Sequence, residues 1–150
     1  MKIGELAKAS STPVETIRFY EREGLLAAPP RTGANYRDYG AEHVERLTFI
    51  RHCRSLDMAL DEIHTLLRFK AAPLDNCAGV NALLDDHIGH VAARIRELKS
   101  LERQLKALRE QCPAAQSAGE CGILHALSDS AAAEGPMPRR RRQHVHGTHA

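Results

Sequence analysis

The sequence predicts a mainly α-helical protein: an N-terminal winged helix-turn-helix with a small β-hairpin wing, followed by a long antiparallel coiled-coil dimerisation helix. Three observations predict this fold. Two short amphipathic segments joined by a turn open the chain, a stretch rich in Pro, Gly and Tyr follows, and one helical pattern then continues over about residues 79–112. The composition agrees, because 43% hydrophobic residues with 4% aromatics and no Trp favour helices with aliphatic seams over a β-sandwich.

The helix-turn-helix comes first in the sequence. One helix is predicted over 2–9 and a second over 14–23, with a short serine turn between them. Four residues mark the ends of the second helix: Thr12 as its cap, Pro13 at its first position, Glu15 as the capping-box partner and Gly24 as the left-handed stop.

The wing and two further helices complete a first domain at residues 1–70. Prolines, a glycine and tyrosines predict a two-stranded hairpin between residues 31 and 39. Apolar stripes of helical period predict helices over 41–54 and 59–70. The second of these lacks a good cap, because Ala59 stands where Ser or Thr is expected.

The long helix belongs to a second region, residues 71–112, which begins with a short linker. Its apolar positions follow four- and three-residue steps with one stammer, as in a coiled-coil seam: Leu84, Ile88, Val91, Ile95, Leu98, Leu101, Leu105, Leu108 and Cys112. A helix on the order of 50 Å long cannot bury such a stripe alone. The remaining residues are too few to cover it, so we predict a homodimer.

Beyond the long helix we expect a loop with a short closing helix, residues 113–127, and then a disordered Arg- and His-rich tail, residues 128–150. The tail carries His144, His146 and His149, whose close spacing predicts an accessory metal site. The alternatives for the tail are a solvated basic segment and one that contacts DNA phosphates.

Composition limits the classes of function. The net charge of +2 is too small to indicate a nucleic-acid binder, so any DNA contact must come from individually placed arginines. No apolar run is long enough to span a membrane, and four cysteines without a signal sequence indicate a cytoplasmic protein with reduced thiols. No catalytic set of residues is evident, and we expect a non-enzyme.

Three of the cysteines predict a metal site. Cys77 and Cys121 lie in polar loop segments with no core to fill, and Cys112 ends the coiled-coil seam. In an antiparallel dimer, Cys77 of one protomer approaches Cys112 and Cys121 of its mate. Three thiolates favour soft ions. Cys53 lies on an apolar face and is expected to be simply buried.

Three sequence motifs resemble the MerR family of transcription regulators over roughly residues 1–127. They are residues 3–7 (IGELA), residues 15–26 (ETIRFYEREGLL) and residues 35–39 (NYRDY). Residues 49–58, residues 80–85 and the three cysteines look like the cadmium- and lead-responsive branch, in which a cysteine before the long helix marks sensors of divalent ions. The eight residues between Cys112 and Cys121 are more similar to the lead-responsive members.

The resemblance also indicates residues that contact DNA. On the recognition helix, Arg18 is expected to reach a guanine edge or a phosphate, and Tyr20 either donates to a phosphate or packs as a half-buried ring. In the wing the expected contacts are Arg31, Asn35, Tyr36 and Arg37, with a solvated hairpin as the alternative. Arg54 resembles a further phosphate contact.

Together these features predict a repressor-activator that binds a palindromic promoter as a homodimer. The resemblance implies that metal binding distorts the DNA, so that RNA polymerase can transcribe efflux or detoxification genes. Cd(II) and Pb(II) are the favoured inducers, with Zn(II) and Hg(II) as alternatives. A rival function is a thiol redox regulator with a Cys112–Cys121 disulfide, although the nearest basic residue to Cys112 is Arg109, three positions away.

Overall fold

The computed structural model describes residues 1–129, which are almost entirely helical. The helices are α1 (Ile3–Ser10), α2 (Val14–Arg22), α3 (Ala41–Ser55), α4 (Leu60–Lys70), α5 (Ala78–Glu110) and α6 (Gly122–Ser128), with a 3-10 turn at Ala118–Glu120. This order confirms the predicted helical class and the long helix. The described chain forms two units, residues 1–80 and residues 81–129, which are considered separately.

The first unit has a closed apolar core. Helix α1 packs on α2 and α3. The fully enclosed apolar side chains come from helices α1 to α4 and from the segment that follows α2: Leu6, Ile17, Leu25, Leu26, Leu47, Ile50 and Ile63. Each such aliphatic side chain contributes about 1.5–3 kcal/mol by leaving water. This burial holds the recognition helix α2 in a fixed place on the unit.

The predicted capping box of α2 is wrong. The Thr12 hydroxyl is buried and donates to the Ser10 carbonyl at 3.2 Å, instead of accepting from the helix. Pro13 occupies the position before the first helical residue, so Thr12 lies one residue too early to cap. The predicted stop at Gly24 is confirmed, since its φ of 74° is left-handed.

The wing is smaller than the predicted two-stranded hairpin. Among the described residues it contains a single antiparallel bridge, between Arg31 and Arg37. The Tyr36 carbonyl accepts from the Thr32 N–H at 2.7 Å, and Asn35 turns the chain with a φ of 64°. Asn tolerates that conformation at little cost, so the hairpin closes within a few residues.

Helix α5 begins one residue earlier than predicted and ends two residues earlier than predicted. The Asn76 side chain caps it by accepting from the Ala78 N–H at 2.7 Å. The coiled-coil seam is largely in solvent within the single chain; Ile88 is 64% exposed and Leu105 57% exposed. None of the described helices has the length and apolar character needed to cross a membrane.

Candidate metal centre and DNA-binding surface

The loop after α5 brings Cys112 and Cys121 together. Both thiols belong to the second unit, and they are near enough for the Cys112 side chain to contribute to the lowered pKa of the Cys121 thiol. The chain leaves α5 at Glu110, turns through Ala118–Glu120 and returns so that Gly122 lies against Gln111. Two of the three predicted metal-binding cysteines are therefore neighbours within one protomer.

The pKa of the Cys121 thiol is lowered from its ordinary value. The backbone N–H of Leu124 lowers the pKa of the Cys121 thiol most. A smaller, opposing effect of desolvation follows, and the Ile123 N–H and the Cys112 thiol lower the pKa further. A lower pKa favours the thiolate, which is the form that binds a metal ion.

The Cys112 thiol is held by its own loop. Its Sγ donates to the Ala114 carbonyl at 3.4 Å, and the Gln116 side-chain amide lies 4.0 Å from the sulfur. Arg109 donates to the Cys112 carbonyl at 2.7 Å and so caps the end of α5. Two soft, partly exposed sulfur donors side by side fit a thiophilic ion, which would need a further ligand to complete three-coordination.

The remaining cysteines differ in exposure. Cys77 is exposed in the linker just before α5, whereas Cys53 is buried in the core of the first unit. Burial raises the pKa of the Cys53 thiol, which makes this cysteine a poor metal ligand. Within residues 1–129 of a single chain, no three metal-binding side chains come together.

Arg18 lies on the open face of the recognition helix. Its side chain is half exposed and forms an ion pair with Glu15 at 3.1 Å, one turn earlier on α2. Such an exposed pair is weak, so the guanidinium can exchange Glu15 for a phosphate or a base edge at little cost. Phe19 and Arg22 also face solvent on α2.

Tyr20 belongs to the core instead of the open face. It is 8% exposed and packs in the apolar cluster. Burial raises the pKa of its phenol, while the positive charge of Arg54 lowers it by a smaller amount. Of the two roles considered for Tyr20, the packing ring is the one this location favours. Arg54 itself donates to the Met58 carbonyl at 2.9 Å and is only half buried.

Three of the wing residues present polar groups to solvent. Arg31 donates to the Asn35 side-chain oxygen at 3.0 Å, and the Lys2 ammonium lies 5.0 Å from the centre of the Tyr36 ring. These residues are exposed, and their contact with DNA phosphates stays a prediction. The structure also adds Lys2 as a neighbouring cation that sequence reasoning missed.

Arg37 has a different environment, created by Glu21 of the recognition helix. The Glu21 carboxylate, whose side chain is 8% exposed, accepts from Arg37 at 2.6 Å and from the Tyr39 hydroxyl at 2.5 Å. Desolvation raises the pKa of Tyr39, and the hydrogen bond and charge of Glu21 raise it further. Glu21 thus ties both the wing and the segment after it to α2, a role that sequence reasoning did not assign.

His144, His146 and His149 of the predicted accessory metal site lie outside the described residues. The predicted disordered tail, residues 128–150, also lies outside the described residues from residue 130 onward. Its predicted first residue, Ser128, is helical, because it is the last residue of α6. The accessory metal site therefore stays a prediction.

Two family models match the chain. Residues 1–70 match the model described as MerR HTH family regulatory protein, and residues 44–108 match the one described as MerR, DNA binding. These ranges cover the helix-turn-helix, the wing and most of α5.

Individual relatives match over at least four-fifths of their own lengths. The chain is 50% identical to an HTH-type transcriptional regulator ZntR homolog from Haemophilus influenzae over 74% of this chain and 82% of that one. It is 37% identical to the mercuric resistance operon regulatory protein of Bacillus cereus, over 84% and 96% of the two chains. The crystal structure of the transcription regulator PbrR691 from Ralstonia metallidurans in complex with lead(II) is similar with a TM-score of 0.77 and 49% identity, covering 85% of this chain and 99% of that one.

Proposed function

The chain belongs to the MerR family of helix-turn-helix regulatory proteins and is a transcription regulator, not an enzyme; we propose that a thiophilic divalent ion, bound by Cys77, Cys112 and Cys121, controls its action on promoter DNA. The observation that carries the proposal is the proximity of Cys112 and Cys121 at the end of the long helix, where Gly122, next to Cys121, lies against the backbone of Gln111, next to Cys112. The similarity to a regulator crystallised with lead(II) supports it.

The active form is a homodimer joined along α5. The exposed seam of that helix supports this assembly, because Leu98 and Leu101 are both about half exposed in the single chain. Antiparallel pairing of two such helices brings the start of one to the end of the other. Cys77 of one protomer then supplies the third thiolate to Cys112 and Cys121 of its partner.

Pb(II) or Cd(II) is the inducer that this donor set favours. Three thiolates satisfy Pb(II), whose lone pair fills the open face, while Cd(II) takes an additional oxygen or nitrogen donor. Zn(II) is less favoured because it usually requires a fourth ligand. Hg(II) remains the fourth ion to compare, since a relative of this chain is named for mercuric resistance.

The ion acts by selecting one of two states of the dimer. Arg18 of each protomer, with the wing residues Arg31, Asn35 and Tyr36, holds the two halves of a palindromic site. A metal ion that bridges the protomers favours the arrangement in which the DNA is bent, and RNA polymerase then engages the promoter. Deforming the DNA costs about 1–6 kcal/mol, which a structural thiolate–metal site can supply.

The test is transcription in vitro from the chain's own promoter, with Pb(II), Cd(II), Zn(II) and Hg(II) titrated in parallel. We expect Pb(II) or Cd(II) to induce at the lowest concentration and Cys112→Ser to abolish induction while operator binding is retained. Cys53→Ser is the matched control and should induce normally. Undiminished induction in Cys112→Ser would reject the proposal.

Redox sensing is the second candidate. The same two cysteines lie at the two ends of one loop, and backbone N–H groups lower the pKa of the Cys121 thiol without help from a basic side chain. Peroxide treatment in the absence of metal, compared with anaerobic metal addition, separates the two functions. Induction by peroxide alone would favour the redox regulator.

A further inference from the structure

We propose that Gln116, Gly122 and His125 hold the 112–121 loop closed before any metal binds, so that the Cys112 and Cys121 thiols form a preorganised chelating pair. The inference rests on the proposed metal-sensing function and assigns three positioning residues to it. None of the three is among the residues predicted to bind the ion, and each closes a different part of the loop.

Gly122 allows the two ends of the loop to meet backbone to backbone. It directly follows Cys121, and a Cβ at this position would lie 2.3 Å from the carbonyl oxygen of Gln111, the residue directly before Cys112. Real Cβ atoms do not approach a carbonyl that closely, and a backbone group cannot rotate away as a side chain can. Any larger residue must therefore separate the segments that carry the two thiols.

Gln116 fastens the middle of the loop to both of its ends. Its side-chain amide donates to the Glu120 carbonyl at 3.0 Å, and the same nitrogen lies 4.0 Å from the Cys112 sulfur. Gln116 thus links the segment that leads into Cys121 to the side of the Cys112 sulfur.

His125 fastens the 3-10 turn to α6. Its Nε2 lies 2.7 Å from the Gly119 carbonyl oxygen, and because a carbonyl only accepts, the imidazole carries its proton on Nε2. The bond spans Cys121, since Gly119 precedes and His125 follows this cysteine. It therefore fixes the backbone on both sides of the thiol.

A closed loop raises metal affinity by removing an ordering cost. In an open loop, the ion would have to bring two distant thiols together and restrict the residues between them. Groups that orient metal ligands in this way typically change metal affinity by about 10–100-fold. We expect that range when the loop is opened.

The decisive comparison is Gly122→Ala against Gly119→Ala. Both add one methyl group to the same loop, but a Cβ at Gly119 meets no atom within 4 Å. Pb(II) affinity, measured by competition with a chromophoric chelator and by lead–thiolate charge-transfer absorption, should fall about 10–100-fold in Gly122→Ala and stay unchanged in Gly119→Ala. Equal affinities in both variants would overturn the proposal.

His125 offers a test by rescue. His125→Ala should weaken Pb(II) binding, whereas His125→Gln, which restores an N–H donor for the Gly119 carbonyl, should recover most of the affinity. Operator affinity without metal should be the same in all variants, which verifies that they fold. If His125→Gln binds Pb(II) as weakly as His125→Ala, or if His125→Ala binds as well as the parent chain, the assigned role of His125 is wrong.

A metal-free measurement separates this inference from the proposed function. Diamide oxidises two neighbouring thiols to a disulfide and is itself reduced to the hydrazine. The rate at which the Cys112–Cys121 disulfide forms, followed by peptide mapping, therefore reports how often the loop is closed. The rate should fall severalfold in Gly122→Ala and be unchanged in Gly119→Ala. Failure of the parent chain to bind any of Pb(II), Cd(II), Zn(II) and Hg(II) would reject the proposed function, while equal diamide rates would reject the closed loop.

Discussion

Residues 1–80 bury their apolar side chains within one chain, whereas α5 leaves a continuous row of them in solvent. Leu47 and Ile50 are fully enclosed in the first unit, but Ile95 and Leu98 of α5 are each 48% exposed. Both regions are helical and both carry regular apolar stripes. The difference is that the stripes of the first unit face one another, while the α5 stripe has no counterpart among residues 81–129.

This difference separates what each region needs in order to fold. The first unit gains its burial energy from intrachain contacts, which do not depend on protein concentration. A long helix with an exposed seam gains comparable energy only by association, as in a coiled coil. We therefore expect the proposed metal site at the end of this helix to be sensitive to how two chains meet.

The largest effect is expected from truncating an enclosed leucine. Leu47→Ala should destabilise the protein by about 2–5 kcal/mol, because the lost contacts leave a cavity in a closed core. Leu98→Ala should instead lower the melting temperature by an amount that depends on protein concentration, because the lost contacts lie between chains. Calorimetry over a hundredfold range of concentration distinguishes the two. A Leu98→Ala shift that is independent of concentration would break the comparison.

The buried carboxylate of the first unit comes next. Glu21→Gln leaves Arg37 without its charged partner and should cost about 1–3 kcal/mol of stability, with about a tenfold loss of operator affinity as the wing loosens. Denaturant titration and a gel shift measure these two losses. The control is Glu15→Gln, which removes the exposed partner of Arg18 and should change stability by less than about 1 kcal/mol. Equal losses in the two variants would show that burial of Glu21 is unimportant.

A smaller effect is expected at the DNA surface. Arg18→Ala should weaken operator binding and reduce the slope of log affinity against log salt by about 1, as expected for one lost phosphate contact. Arg103→Ala, an exposed arginine of α5, should leave the slope unchanged. If Arg18→Ala keeps the full slope and affinity, Arg18 is not a DNA contact.

The smallest effect is an alkaline loss of stability confined to the first unit. Burial raises the pKa of Tyr20 above its ordinary value of 10.0, so the unfolded chain loses this proton first. The contribution of Tyr20 is therefore complete below about pH 10 and is lost as the pH rises through the folded-state pKa. Above about pH 10, the free energy of unfolding should fall less steeply with pH in Tyr20→Phe than in the parent protein. An unchanged slope in Tyr20→Phe would contradict the assignment.

The features that were predicted correctly depend on local sequence. The Gly24 stop, the order of the helices and the seam of α5 follow from residue type and period alone. The Thr12 cap failed because its hydroxyl found a partner in the Ser10 carbonyl, and the wing closed with a single bridge because Asn35 turns it tightly.

The features that were missed depend on tertiary contact. Glu21 has two partners that lie 16 and 18 residues away, a distance that no periodicity reveals. The acidity of Cys121 comes from backbone N–H groups, which have no signature in residue type. The close approach of Gly122 to Gln111 likewise becomes visible only once the loop is folded, although a glycine directly after a cysteine could have drawn attention.

The central claim is that the metal ion binds between two chains, and mixed dimers test it most directly. A dimer of one Cys77→Ser chain and one chain carrying Cys112→Ser and Cys121→Ser would retain one complete three-thiolate site, although neither chain alone has all three of the predicted metal-binding cysteines. We predict that each variant homodimer lacks the lead–thiolate charge-transfer band and that the mixed dimer recovers half of the band of the parent protein. A mixed dimer with no such band would contradict the account, since the three cysteines would then have to come from one chain.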